Sequence, residues 1–92
     1  MNTNKNKNNR NEYFRTADFN LAAFLFAKQF ELAGIDKTTN PKRAEFLFPN
    51  SAGVELAVHE LHFANDSSPE ILINARVLFA AIKQLKSILY QN

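Results

Sequence analysis

The sequence predicts an α+β domain, a small sheet packed on helices, because its apolar residues change period twice along 92 residues. From Phe19 to Phe26 they recur at helical spacing, and from Phe30 to Phe48 they alternate. Beyond Asn50 they return to helical spacing as far as Tyr90, and residues suited to turns or helix starts mark the changes. A chain that is 46% hydrophobic with nine Phe carries enough large apolar side chains for one core without a disulfide or structural metal.

Tyr13 to Arg15 is short and aromatic and reads as a strand. Thr16 and Asp18 follow, and their side-chain oxygens accept orphan N–H groups at a helix start. A helix is therefore expected from about Ala17 to Gln29. Phe19, Ala22, Ala23 and Phe26 fall on one face of it, while Leu21, Phe24 and Leu25 fall on the other. A helix apolar nearly all round is either sandwiched within the domain or meets a partner with half its surface.

The period then becomes two. Phe30, Leu32 and Gly34 alternate with Glu31, Ala33 and Ile35, and Ala44, Phe46 and Phe48 alternate with Arg43, Glu45 and Leu47. This is a β-hairpin with one aromatic face, joined through Thr39, Asn40 and Pro41. Pro49 ends the second strand, and Asn50 or Ser51 caps a helix to about Ala64 with Val54, Ala57, Val58 and Leu61 on its core face. Leu56 and Phe63 point away from that face.

Asn65 to Pro69 reads as a loop, after which two readings compete. Ser67 with Glu70 forms a capping box and Pro69 suits a first helical turn. Against this, Ile71, Leu72 and Ile73 make a compact apolar run ending at Asn74, a good N-cap. The preferred reading is a short strand at Glu70 to Ile73 and a long helix from Ala75 to Tyr90, with Ala75, Leu78, Phe79, Ile82, Leu85 and Leu89 as its apolar stripe.

The order Tyr13-Phe14-Arg15-Thr16-x-Asp18, Ala22-Ala23-Phe24-Leu25, the Phe30 to Ile35 strand, Pro41-Lys42-Arg43-x-x-Phe46-x-Phe48 and the closing Leu85-Lys86-Ser87-x-x-Tyr90 resembles a small bacterial and viral domain family of unknown function. The resemblance covers about residues 13 to 90. It implies a short strand, helix, hairpin, helix and long final helix, and it implies no catalytic residue.

The formal net charge is +2, yet residues 12 to 92 hold eight basic and nine acidic groups and are slightly negative. The excess sits in residues 1 to 11, where Lys5, Lys7 and Arg10 stand among six Asn. This segment is read as a disordered basic leader attached to a single domain of residues 12 to 92, because it has no apolar side chain beyond Met1 to offset the entropy of ordering. The longest apolar run, Leu21 to Ala27, is seven residues against the roughly 20 that cross a bilayer, so no membrane span is expected. Acidic residues between the basic leader and that run argue against a secretory signal. The absence of Cys fits a cytoplasmic protein and removes thiol chemistry and Cys-based zinc sites.

Chemistry-bearing patterns are sparse. Glu55, His59 and His62 share the solvent side of one helix, but no fourth ligand accompanies them and no metal is assigned. Two glycines 19 residues apart exclude phosphate-cradling loops, and no serine has a nucleophile-elbow context. The protein is thus expected to have neither an active site nor a cofactor. Arg76, Lys83 and Tyr90 form a basic and aromatic helix edge that suits phosphate contact and base stacking. Arg15, Lys42 and Arg43 extend it if the hairpin end lies nearby. Lys86 falls inside the expected apolar stripe; it either snorkels at the helix C-terminus or pairs with an acid such as Asp18 or Glu12.

The expected function is that of a non-catalytic, self-associating binding module in weak nonspecific contact with nucleic acid. Lys5, Lys7, Arg10, Arg15, Arg76, Lys83, Lys86 and Tyr90 are the candidate contacts, and Leu21, Phe24, Leu25, Leu56 and Phe63 the candidate interface of a homo-oligomer. The alternative is a protein-interaction module that uses the apolar helix faces and has no nucleic-acid role.

Overall fold

A computed structural model describes residues 12–40 and 42–91. The elements run β1 (Tyr13–Thr16), α1 (Phe19–Ala27), β2 (Gly34–Asp36), β3 (Glu45–Pro49), α2 (Ala52–Phe63), a 3-10 turn (Pro69–Ile71) and α3 (Ala75–Leu89). The α+β class follows directly: three helices and a three-stranded antiparallel sheet in the order β1-β3-β2. The expected leader, with Lys5, Lys7 and Arg10, lies outside the described residues.

Each helix starts where a short polar side chain can accept its orphan amides. Asp18 accepts from the Asn20 and Leu21 N–H groups at 3.0 and 3.3 Å, and Thr16 Oγ1 accepts the Asp18 N–H at 3.0 Å. Ser51 Oγ accepts the Val54 N–H at 3.1 Å, and Asn74 Oδ1 accepts those of Arg76 and Val77 at 2.8 and 3.3 Å.

The end of α1 is less ordinary. Gln29 occupies the left-handed region at φ 77°, its N–H donates to the Phe26 carbonyl at 2.9 Å, and the Phe30 N–H donates to that of Leu25 at 3.1 Å. This is the paired-bond cap that glycine usually terminates, here built on glutamine. It turns the chain out of the helix without a loop.

The sheet register sets one face toward the helices. Phe14 lies opposite Phe48 and Ile35 opposite Phe46, and these four side chains pack into or against the core. The expected hairpin strand from Phe30 is shorter than the alternation implied: β2 begins at Gly34, although the Ala33 N–H still donates to Leu47 at 2.7 Å. With Gly34 opposite Leu47, Leu32 would face Pro49, which has no N–H to continue the ladder. Phe30 and Leu32 therefore reach the core from irregular chain, while Ile35, expected on the other face, reaches it from the strand.

α1 is the sandwiched helix. It packs most extensively on α3, and also on α2 and β1, while its Phe19 ring meets Phe46 of β3 edge-on at 5.8 Å. Leu21, Phe24 and Leu25 are consequently 5%, 5% and 0% exposed. They are core side chains, which corrects their assignment to a partner interface: both faces of α1 are covered within one chain. Leu56 and Phe63 on α2 remain exposed, as expected.

Two further corrections concern the C-terminal half. The expected strand at Glu70 to Ile73 is absent; Pro69 opens a 3-10 turn with Ser68 before it, and the chain then runs extended to Asn74. Ile71 and Ile73 still pack against the core, from the 3-10 turn and from the extended chain after it, without joining the sheet. In α3 the buried side is centred on Ala81 and Leu85, with Leu78, Ile82 and Leu89 beside them, whereas Ala75 is exposed and Phe79 is 65% exposed. The helix is rotated away from the expected stripe by roughly half a residue, or about 50°. The rotation sets Ala81 and Leu85, rather than Phe79, on the buried side of α3, the helix on which α1 packs most extensively.

Candidate nucleic-acid interface

The rotation of α3 decides what it shows to solvent. Arg76, Phe79, Lys83, Lys86 and Tyr90 follow one another at intervals of 3, 4, 3 and 4 residues, and all five are exposed. At 100° per residue they lie within a stripe roughly 80° wide and about 21 Å long. Arg76, Lys83, Lys86 and Tyr90 are thus brought together as the sequence suggested. Phe79, assigned there to the core, joins them. The 3-4 spacing that links it to the cations was legible, but its apolar character favoured burial.

Lys86 does not sit among the apolar side chains, since the rotation carries it to the surface. No carboxylate among the described residues comes within 4.0 Å of Arg76, Lys83 or Lys86, so the pairing with Asp18 or Glu12 is not made. No acid occurs anywhere between Ala75 and Leu89. The charge on this face is therefore uncompensated locally, and Lys86 in the last turn is favoured by the helix dipole. Lys37 adds a further cation at that end, with Nζ donating to the Gln91 carbonyl at 2.9 Å. Sequence reasoning missed it, because only the tertiary fold brings the hairpin end to the C-terminus of α3.

Arg15 is placed differently. From the sheet face opposite the core it spans β3, its guanidinium 3.1 Å from Asp36 and 3.8 Å from Glu45. Asp36 also accepts from the Thr39 N–H and hydroxyl and from the Thr38 N–H and hydroxyl, at 2.7 to 3.1 Å. These donors, led by the Thr39 N–H, hold its carboxyl well below the usual carboxylate range. Arg15 therefore serves a cross-sheet ion pair and leaves the list of contacts for a polyanion. Its alternating register put it on the outer face; the acids that neutralise it there come from β2 and β3.

The histidines offer little chemistry. His62 Nδ1 stands 2.8 Å from the Val58 carbonyl oxygen, which makes that nitrogen a donor, and the His59 ring lies 4.9 Å from that of Phe63. Glu55 accepts from the Asn50 side chain at 3.3 Å. Among the described residues no three His, Cys, Asp or Glu side chains gather where they could hold a metal ion. A depression of about 410 Å³ between α1, α2 and α3 is lined by apolar side chains and Asn20, and a wider one of about 540 Å³ beside Gln29 holds a single carboxylate, Glu31. No described helix is long and apolar enough to cross a membrane.

Residues 11–91 match the family described as a domain of unknown function (DUF5659), and the chain belongs to that family. No curated protein matches the chain. No solved structure matches it either.

Proposed function

We propose, taking membership of that family as the premise, that the protein is a non-catalytic binding module that holds nucleic acid by nonspecific electrostatic contact through the outward stripe of α3. The observation that carries this reading is the set of three cations, Arg76, Lys83 and Lys86, exposed on one helix face that contains no acid. Cations in this arrangement attract phosphates without regard to sequence and release counterions on contact. Lys5, Lys7 and Arg10 add charge to the same interaction, and Lys37 extends it at the C-terminal end of α3. A body whose net charge is slightly negative concentrates the attraction on this stripe rather than spreading it over the surface.

The test is a fluorescence-anisotropy titration of labelled oligonucleotides at two salt concentrations with the full chain. Arg76, Lys83 and Lys86 are changed together to Gln in one variant, and Lys5, Lys7 and Arg10 in another. Salt-sensitive binding that survives the second set and is lost with the first supports the stripe as the site. Binding that follows only the leader residues refutes it.

A second reading has its own observation. Phe63 is 75% and Leu56 57% exposed on α2, and their seven-residue spacing sets them on one face of that helix. These two residues, without Leu21, Phe24 and Leu25, are what supports a protein partner or a second copy of the chain. Association through them would resist salt and would be abolished by Phe63→Ser.

A further inference from the structure

We infer that the nucleic acid this stripe takes is single-stranded, with bases stacked on Phe79 and Tyr90 between the cations. The inference rests on the electrostatic reading above and deepens it from a charge to a substrate class. Phe79 is 65% and Tyr90 78% exposed, and among the described residues neither ring packs against another ring. Leaving a phenylalanine in water forgoes the burial that a large apolar side chain normally gains. Here two aromatic rings are left so, on the same narrow stripe as the cations, with Lys83 and Lys86 between them.

A duplex keeps its base faces stacked and shows a protein only phosphates and groove edges. Two aromatic platforms therefore gain little from it. A single strand offers both its phosphates and its unstacked base faces, and sequence-tolerant binding to it combines cations with aromatic stacking. Phe79 and Tyr90 are about 16 Å apart along the helix, so the cations between them can meet the backbone that links two stacked bases. Charge complementarity favours a polyanion over a second copy of the chain, because pairing this stripe with itself would set cation against cation.

The experiment uses the full chain. A fluorescein-labelled oligothymidylate of about 15 nucleotides, within the usual single-strand site size, is compared with a duplex of the same length at one salt concentration. The single strand is expected to bind at least about tenfold more tightly than the duplex. Phe79→Ala is expected to weaken single-strand binding by about tenfold, the loss of one stacked base, and to leave the salt slope unchanged. Phe79→Trp gives the chain its sole tryptophan; it should retain affinity and show quenched emission with the single strand but not with the duplex. Tyr90→Ala repeats the test at the second ring, should Phe79→Ala lower the melting temperature.

Equal binding of both forms, with the aromatic substitutions silent and the cations still required, overturns the single-strand inference and leaves the electrostatic reading standing. Failure of the unmodified chain to bind either form overturns both. Binding to phosphatidylserine vesicles without binding to either oligonucleotide also overturns both and assigns the stripe to a lipid surface.

Discussion

Neutralising one cation of the α3 stripe should change the salt dependence of binding by a fixed amount. Each phosphate contact to a single strand contributes about −0.7 to the slope of log K against log salt. Arg76, Lys83 and Lys86 together then give a slope near −2.1, or about a 20-fold loss of affinity between 50 and 200 mM salt. If Lys5, Lys7 and Arg10 also engage, the slope approaches −4.2 and the loss about 300-fold. Lys83→Gln should make the slope less steep by about 0.7 while leaving the melting temperature unaltered, since its side chain is exposed and unpaired. Arg15→Gln should leave the slope as it was, because its guanidinium is engaged by Asp36 and Glu45. The assay is anisotropy of a labelled oligonucleotide at four or more salt concentrations. A slope that changes with Arg15→Gln and not with Lys83→Gln would refute the placement of the site on α3.

Further expectations concern the fold that carries the stripe. Gln29→Gly removes a left-handed glutamine from the end of α1 and should raise stability by about 1 kcal/mol, read as a higher thermal midpoint. Leu25→Ala and Leu85→Ala, at wholly buried positions, should each cost about 2–5 kcal/mol in denaturant titrations. Leu25→Ala should unfold the monomer rather than dissociate an oligomer, and analytical ultracentrifugation below the transition distinguishes the two. Asp36 has a lowered pKa in the folded chain, so its contribution is complete above its ordinary value of 3.8 and is lost as the pH falls below that toward the folded value. Asp36→Asn should therefore flatten the acid limb of a stability-against-pH curve and change its neutral limb in the destabilising direction; an unchanged acid limb would refute the role given to the Thr38 and Thr39 donors.

Local chemistry was readable along the chain because it depends on neighbours in sequence. Asp18, Ser51 and Asn74 mark the three helix starts through bonds to amides two or three residues on, and the alternation around Phe46 and Phe48 sets the core face of β3. The spacing of Arg76, Lys83 and Tyr90 likewise placed them on one helix edge. Tertiary packing decided what spacing left open. An apolar helix such as α1 carries no mark of whether a partner or its own chain covers it, and only the positions of α2, α3 and the sheet made Leu21, Phe24 and Leu25 internal. The apolar arc of α3 is wider than the surface it can bury, so its rotation follows from contact with α1 and turns Phe79 and Lys86 outward. Glu70 to Ile73 has strand-like composition but meets the core through Ile71 and Ile73 without joining the sheet, and Arg15 is neutralised by acids that come from other strands. In each case the deciding interaction joins residues far apart in sequence, where periodicity and capping carry no information.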